Sequence, residues 1–225
     1  QLNSWLCPKR VELIGYLYAV LPAGIIKEGR EFSHFIFEDD RAVAAVFLNG
    51  EVEYGDIFIG ADGGNSKVRE KLFGKTSFTP VEVKEIVGVV RNFKMPAKGN
   101  NIFNKLQSSR NGLAFGYIPA TDSDYVWFMQ YDPSISDLAD NTPEELKSFC
   151  LKLLGKFPSA VQDIINLNNF EMTYIWNTRD FDPLPAFHKK NIVLIGDAAH
   201  LALPFTSAGT TNAIIDAKLL SSLIL

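Results

Sequence analysis

The chain has 225 residues, 47% of them hydrophobic, and a formal net charge of −4. This length and composition are ordinary for a globular protein with a sizeable core. The acidic balance argues against a nucleic-acid surface, which needs clustered Lys and Arg. Cys7 and Cys150 lie too far apart in sequence for a disulfide framework or zinc-ligand spacing, so we expect a cytoplasmic protein. The longest uncharged apolar stretch, residues 13–26, is too short to span a bilayer.

Local patterns predict the elements of the first part of the chain. Apolar residues at helical spacing predict a helix over residues 11–20, which Pro22 ends. Alternating apolar and β-branched residues then predict strands at 33–37, 42–48 and 51–54. Asn49-Gly50 supplies positive φ angles for a tight hairpin turn between the last two strands.

A short apolar strand at 56–59 runs into a glycine-rich turn, and a helix over 66–72 follows, capped by Asn65 or Ser66. The abundance of β-branched and aromatic residues predicts antiparallel sheet over 81–131, with 94–111 as a loop or weak strand. The 17 Phe residues fit either an aromatic core or an aromatic-lined pocket.

The last part of the chain is expected to return to helices and a buried strand. Thr142-Pro-Glu-Glu predicts the start of a helix that continues to about 157, and a second short helix follows from Ser159. Residues 191–195 form an apolar strand that ends at Gly196-Asp197, and a loop leads to a helix from about 211.

Strand–turn–helix patterns at both ends, with antiparallel sheet between them, predict an interleaved fold. The predicted fold class is α/β for the nucleotide-binding region, with an α+β substrate region inserted in it. The boundaries expected are 1–80 for the first part of the nucleotide region, 81–174 for the β-rich region and 175–225 for the second part.

Two predicted strands end in a small residue followed by Asp, at Asp62 and Asp197. Ligands of open α/β sheets bind beyond the carboxyl ends of strands, where a carboxylate accepts hydrogen bonds from sugar or polyol hydroxyls and nearby glycines allow close approach. After Asp197 a loop of small residues enters a helix, whose free N–H groups favour negative charge, such as the N1–C2=O edge of a flavin.

Three motifs resemble one known family, the flavoprotein aromatic hydroxylases, which are FAD-dependent monooxygenases of the p-hydroxybenzoate hydroxylase type. Asp62-Gly-Gly-Asn-Ser-Lys-Val-Arg69 matches the family's Asp-Gly-x-x-Ser-x-Val-Arg fingerprint. Gly196-Asp-Ala-Ala-His200, followed by Pro204 and Gly209, resembles its second flavin motif. Arg10, with Leu13 and Leu17 after it, resembles an Arg-x-x-Leu-x-x-x-Leu helix that precedes the hairpin.

The resemblance implies a role for each matching residue. Asp197 would hold the ribityl hydroxyls of FAD, Arg10 would contact the ribityl-phosphate stretch, and the loop of Asp62 and Gly63 would serve both FAD and NAD(P)H. Arg69 would either contact the phosphates of NAD(P)H or pair with an acid. The remaining contacts implied are Pro204 beside the isoalloxazine and the backbone of Gly209, Thr210 and Thr211 at its pyrimidine edge.

The same resemblance implies a Rossmann-like FAD/NAD(P)-binding region and an activity. NAD(P)H would reduce FAD, and O2 would then be used to hydroxylate a small aromatic substrate under a roof formed by the sheet at 81–131. Such chemistry often needs no protein nucleophile, so no catalytic residue is assigned. Neither a metal-ligand arrangement nor a Ser-His-Asp arrangement stands out in the sequence. His200 is expected to pack in the flavin loop, and Arg179 either supports the flavin region or is a solvated loop charge.

The chain departs from the family pattern in two ways. It has Ser207-Ala-Gly-Thr-Thr211 where the family usually has Gly-Gln-Gly-x-Asn, and it contains no Gly-x-Gly-x-x-Gly segment to cradle the FAD pyrophosphate. It also begins with Gln rather than Met. We therefore expect a piece truncated at its N-terminus that binds FAD weakly or not at all. The alternatives are a flavin-dependent reductase or dehydrogenase of the same fold, and a non-enzymatic fragment that has lost its cofactor.

Overall fold

The chain interleaves two units, each built from two separate stretches of sequence. The structure is a computed structural model that describes residues 9–93 and 102–224. Unit 1 contains residues 9–22 and 81–178, and unit 2 contains residues 23–80 and 179–224. The segment before residue 23 groups with the β-rich unit, and that unit extends to 178, whereas the sequence suggested boundaries at 80 and 174.

The helices and strands follow the predicted order. Within the described residues the α-helices are α1 Arg10–Ala19, α2 Lys67–Phe73, α3 Pro143–Leu154, α4 Ser159–Leu167, α5 Asp197–His200 and α6 Gly209–Ile224. The strands are β1 Phe32–Glu38, β2 Arg41–Phe47, β3 Val52–Tyr54, β4 Phe58–Gly60, β5 Lys84–Val90, β6 Asn104–Gln107, β7 Ala114–Pro119, β8 Tyr125–Tyr131, β9 Tyr174–Asn177, β10 His188–Lys189 and β11 Ile192–Leu194. In this part of the chain no helix is long and apolar enough to cross a membrane.

Unit 1 is built on a five-stranded antiparallel sheet in the order β6-β7-β8-β5-β9. The strands expected within 81–131 are confirmed, and β6 is the weak strand of the 94–111 stretch, of which 94–101 lie outside the described residues. Strand β9 was not predicted, because its four residues carry too short a pattern to distinguish them from a loop.

The core of unit 1 lies on the face of this sheet that α3 and α4 cover. Ile86 and Trp127 from the sheet and Ile164 from α4 are completely buried there. The Trp127 ring stacks on Phe115 at 5.7 Å between centroids, and its Nε1 donates to Asn168 Oδ1 at 2.8 Å. Aromatic residues of this unit thus fill the core, and the buried indole nitrogen has its own acceptor.

The helices over this core have the predicted signals. Thr142 Oγ1 accepts a hydrogen bond from the backbone N–H of Glu145 at 3.3 Å, so the hydroxyl cap of α3 is confirmed. The helix ends at Leu154 rather than near 157. Cys150 faces the core from α3, and burial raises the pKa of its thiol to about 12, so it stays protonated and inert.

Unit 2 contains an antiparallel sheet, β1-β2-β3, and a mixed sheet, β10-β11-β4. Asp39 and Asp40 make the first hairpin turn with φ of 45° and 68°. In the second hairpin Gly50 has φ 85° and donates to Phe47 O at 3.0 Å. Asn49 does not take a positive φ, so the predicted hairpin is confirmed but its turn is a three-residue loop closed by glycine.

The Asn191 side chain ties the two sheets of unit 2 together. Its Nδ2 donates to the carbonyl oxygens of Ala42 at 2.7 Å and Asp56 at 2.8 Å, and its Oδ1 accepts from Ala42 N at 3.0 Å. The residue is 7% exposed, so these bonds satisfy main-chain groups that solvent cannot reach. They fix the start of β11 against the segment before β4.

We expect Gly88→Ala to destabilise unit 1 by about 1–3 kcal/mol, the range of overpacking in a filled core. A Cβ at this position would lie 2.7 Å from the Trp127 ring and 2.8 Å from Asn168 Oδ1. Urea unfolding monitored by Trp fluorescence measures the change. Gly15→Ala is the matched control, because a Cβ there meets nothing within 4 Å. Equal midpoints for the two variants would contradict this account of the core.

Candidate functional site

The two Gly–Asp motifs of unit 2 lie at one edge of the mixed sheet. Strands β4 and β11 are parallel neighbours, with Leu194 opposite Gly60, and Ile195 N donates to Gly60 O at 3.0 Å. A Cβ on Gly60 would lie 2.7 Å from Leu194 and 2.8 Å from Val68, so only glycine fits. Because parallel strands end on the same side, Asp62 and Asp197 follow adjacent strand ends.

The carboxylate of Asp62 is engaged in its own loop. It accepts hydrogen bonds from the Ser66 hydroxyl, from Lys67 N at 2.7 Å and from Val68 N at 3.1 Å. Ser66 in turn accepts from Arg69 N at 2.9 Å, so Ser66 rather than Asn65 caps α2. The side chain of Asp62 therefore holds the glycine-rich turn in shape, and the backbone of Gly63, with φ 78°, is the part of this loop open to a ligand.

The guanidinium of Arg69 links the two motifs. The residue is 1% exposed. Its Nη2 donates to Gly64 O at 2.6 Å, its Nη1 to Ala198 O at 3.0 Å and Asp197 O at 3.4 Å, and its Nε to Thr76 Oγ1 at 2.7 Å. Burial lowers the pKa of this group, the direction expected for a cation withdrawn from water. Within the described residues Arg69 donates to main-chain carbonyls and to the Thr76 hydroxyl, and the contact with NAD(P)H phosphates stays a prediction.

Aromatic rings and a second arginine support the same loops. The Phe181 ring lies 4.3 Å from Arg69 Cζ, and the Phe78 ring 4.1 Å from Arg179 Cζ, both within cation–π range. Arg179 also donates to Asn65 Oδ1 at 2.6 Å. Arg179 therefore supports the first motif loop, the first of the two roles left open for it.

The carboxylate of Asp197 is placed differently from that of Asp62. It is exposed at the start of α5, and among the described residues no donor reaches it. The turn before it is fixed: Gly196 has φ 59° and donates to Asp216 Oδ2 at 2.8 Å. The same oxygen lies 2.6 Å from His200 Nε2. Asp197 is thus presented to solvent by a rigid turn, with both of its oxygens available.

The N-terminus of α6 adjoins Asp197. Pro204 begins a 3-10 turn at Pro204–Thr206, Ser207 takes φ 52°, and α6 begins at Gly209, two residues before the predicted start. A Cβ on Gly209 would lie 3.8 Å from Asp197 Oδ1. Gly209, Thr210 and Thr211 are exposed, and the first N–H groups of a helix have no partner within it. These donors stand close to the free carboxylate.

Arg10 is the exception among the predicted cofactor residues. It is exposed at the first position of α1, in unit 1, whereas the others belong to unit 2. The residues that sequence reasoning missed are Thr76, Phe181, Asn191 and Asp216. The partners of the last three are distant in the chain, and Thr76 lies in the loop after α2, seven residues from Arg69. Only Asp216 had a signal in the sequence: it lies 16 residues after His200, in the helix predicted from about 211.

The arrangement in unit 2 fits FAD. An exposed carboxylate beside a glycine matches the hydroxyl donors of a ribityl chain, and free N–H groups at the start of a 16-residue helix match the acceptor edge of the flavin pyrimidine.

We expect Arg69→Lys to destabilise the chain by about 2–3 kcal/mol, because an ammonium cannot span the carbonyls and hydroxyl that the guanidinium fork reaches. Thermal and urea unfolding measure the loss. Arg41→Lys is the control, since exposed Arg41 makes one bond, to Asp56 O at 3.1 Å, and its replacement should cost no more than about 0.5 kcal/mol. Equal losses in the two variants would show that Arg69 does not hold the loops.

The chain is similar to known FAD-binding proteins. The model of the FAD binding domain family matches residues 23–225. The FAD-dependent monooxygenase thnD of Trichoderma harzianum is 27% identical over 238 residues, which cover 96% of this chain and 57% of the relative. The 6-hydroxynicotinate 3-monooxygenase of Bordetella bronchiseptica is 28% identical, over 97% of this chain and 56% of the relative. The chain thus spans little more than half the length of these relatives.

Solved structures show the same fold. Klebsiella pneumoniae HpxO complexed with FAD and uric acid matches with a TM-score of 0.82 at 20% identity, over 95% of this chain and 55% of that one. The predicted mixed α/β fold with antiparallel sheets is confirmed at that level. The chain belongs to the FAD binding domain family, whose aromatic-hydroxylase members its motifs resemble.

Proposed function

We propose that the protein carrying this chain is an FAD-dependent monooxygenase that uses NAD(P)H and O2 to hydroxylate a small aromatic substrate. The observation that carries the proposal is that Asp197, a carboxylate with no donor among the described residues, lies beside the N-terminus of α6. The curated relatives support it, because both of those compared are monooxygenases by name.

The residues of unit 2 would act by holding and orienting the cofactor. Bound FAD supplies hydride acceptance from NAD(P)H and activation of O2. Asp197 accepts hydrogen bonds from the ribityl hydroxyls, and the N–H groups of Gly209, Thr210 and Thr211 bind the pyrimidine edge, with Pro204 beside the ring. The N–H groups at the end of a helix favour negative charge on that edge.

We propose two further contacts, one for the first motif and one for Arg10. The backbone of Gly63 approaches the cofactors, Asp62 keeps the turn in shape, and Arg10 contacts the ribityl-phosphate stretch. Arg69 acts as a positioning residue rather than as a cofactor contact, because its donors are spent on carbonyls. The parallel pair β4–β11 supports a Rossmann-like reading of this unit. A Gly-x-Gly-x-x-Gly segment, which these 225 residues do not contain, would cradle the pyrophosphate.

The relatives' names support a small aromatic ring as the substrate. One acts on 6-hydroxynicotinate, and the matched Klebsiella structure holds uric acid. These are compact planar molecules with polar substituents. We propose an acceptor of that size and kind, hydroxylated without a protein nucleophile and bound to the sheet of unit 1.

We expect Asp197→Asn to weaken FAD binding by about tenfold or more, since a hydrogen bond to a charged group contributes about 1.5–3 kcal/mol. Flavin fluorescence titration measures the dissociation constant for the 225-residue chain and for its complete natural protein. Asp56→Asn is the control, because Asp56 is exposed before β4, at the opposite end of that strand from Asp62. If the natural protein does not bind FAD, or if Asp197→Asn binds FAD with the wild-type dissociation constant, this site assignment is wrong.

We also expect labelled oxygen in the aromatic product when the natural protein turns over under 18O2 with NAD(P)H and a panel of phenols. Mass spectrometry of the products measures the incorporation, and a parallel reaction in labelled water controls for exchange. Consumption of NAD(P)H with label in no aromatic product would instead identify a flavin-dependent reductase or dehydrogenase of the same fold.

A further inference from the structure

The face of the unit 1 sheet opposite α3 and α4 has a polar pair among aromatic side chains. Residues in register on neighbouring strands project to the same face of a sheet. One row across this face is Trp176, Glu85, Gln130, Ala114 and Gln107. The next row is Tyr174, Val87, Phe128, Gly116 and Lys105.

Both rows have features of a surface that binds a flat ring. Trp176 and Tyr174 are 56% and 60% exposed. The Phe128 ring lies directly over Gly116, where a Cβ would come within 2.2 Å of it. Aromatic and aliphatic side chains therefore form a flat apolar strip on which an aromatic ring can stack.

Glu85 and Gln130 are the polar groups beside that strip. Gln130 Nε2 donates to Glu85 Oε2 at 2.7 Å, and the two residues are only 7% and 9% exposed, Gln130 being the less exposed. Among the described residues no donor reaches Glu85 Oε1 or Gln130 Oε1, yet neither oxygen is sealed from solvent. Two acceptor oxygens thus face outward from a largely desolvated position.

The loss of hydration at Glu85 and Gln130 favours a hydrogen-bond donor as the partner of these two oxygens. Burial raises the pKa of Glu85, against the smaller lowering effects of the Gln130 hydrogen bond and the charge of Lys105. An ionised carboxylate in this position lacks part of its hydration, and an O–H or N–H group on a ligand would restore it. A ligand carboxylate would instead meet a like charge at Glu85. Lys105 has its Nζ 6.0 Å from the centroid of the Phe128 ring, but it is exposed, so water screens its attraction for such a carboxylate.

We propose that Glu85 and Gln130 determine substrate specificity, and that the substrate is a neutral or cationic aromatic molecule with an O–H or N–H donor rather than an aromatic carboxylate. The ring lies on the Val87–Phe128 strip, and its donor binds the outward oxygens of the pair. This inference rests on the proposed monooxygenase function, which it narrows to a substrate class.

Calorimetric titration with two matched probes tests the inference on the 225-residue chain and its natural protein. 4-Hydroxybenzyl alcohol and 4-hydroxybenzoate share a phenol and differ in the charged group. The wild type should bind the alcohol about tenfold more tightly than the carboxylate. Glu85→Gln should reduce that preference to within about threefold, because it keeps the side-chain shape and removes the charge.

Further variants keep the test independent of folding. Glu171→Gln, an exposed change in the same unit, should retain the wild-type preference. Gln130→Met should weaken binding of the alcohol by about fivefold, since it removes one outward acceptor and the bond to Glu85. Thermal melting confirms that each variant is folded. In NMR spectra the indole N–H of Trp176, assigned with Trp176→Phe, should shift on addition of the alcohol, while that of buried Trp127 should not.

Binding of neither probe, tighter binding of the carboxylate, or an unchanged preference in folded Glu85→Gln would each overturn the inference. These outcomes are separate from those for FAD. If the protein binds FAD and incorporates oxygen but binds both probes equally, only the proposed substrate class is wrong. If it prefers the alcohol but does not bind FAD, the proposed monooxygenase function is wrong.

Discussion

The site in unit 2 depends on the buried guanidinium of Arg69. Strands β4 and β11 meet over only three residue pairs, so the loops that follow them need a further link. Arg69 provides it with bonds to Gly64 O on one side and to Asp197 O and Ala198 O on the other. A buried cation is costly unless its donors are satisfied, and here the carbonyls, Thr76 and the Phe181 ring compensate the lost hydration.

This link explains why two similar motifs do different work. Asp62 and Asp197 both follow a strand and a glycine, but Asp62 accepts bonds from the first turn of α2, which places Arg69 correctly. Asp197 begins a helix of four residues, and no described residue donates to its carboxylate, the group that we propose for the ribityl chain. Asp62 thus stabilises its loop, whereas the position of Asp197 is set by the backbone before it. The carboxylate of Asp197 therefore has a defined position although no described residue binds it.

Local signals in the sequence were enough to predict most of the helices and strands and their order, but not β9 or β10. The Thr142 cap, the apolar run at 191–195 and the Asn49-Gly50 hairpin were each readable within a few residues. Long-range partners were not, since nothing near Arg69 reveals that residues 128 and 129 positions further on supply its acceptors. The same holds for Asn191, whose side chain binds Ala42 and Asp56. The motifs located the site, but only the fold separated the residues that build it from those open to a ligand.

Glu85 is a second residue whose environment could not be predicted from the sequence near it. In sequence, Lys84-Glu85-Ile86 reads as an ordinary strand start with charges in solvent. The register places Glu85 between Trp176 and Gln130, where it is largely desolvated and carries a raised pKa. Apart from Arg10, the groups proposed to hold the cofactor belong to unit 2, whereas Glu85 and Gln130 belong to unit 1. Substitutions at Glu85 and Gln130 can therefore change which ring is accepted while Arg69, Asp197 and α6 keep their contacts.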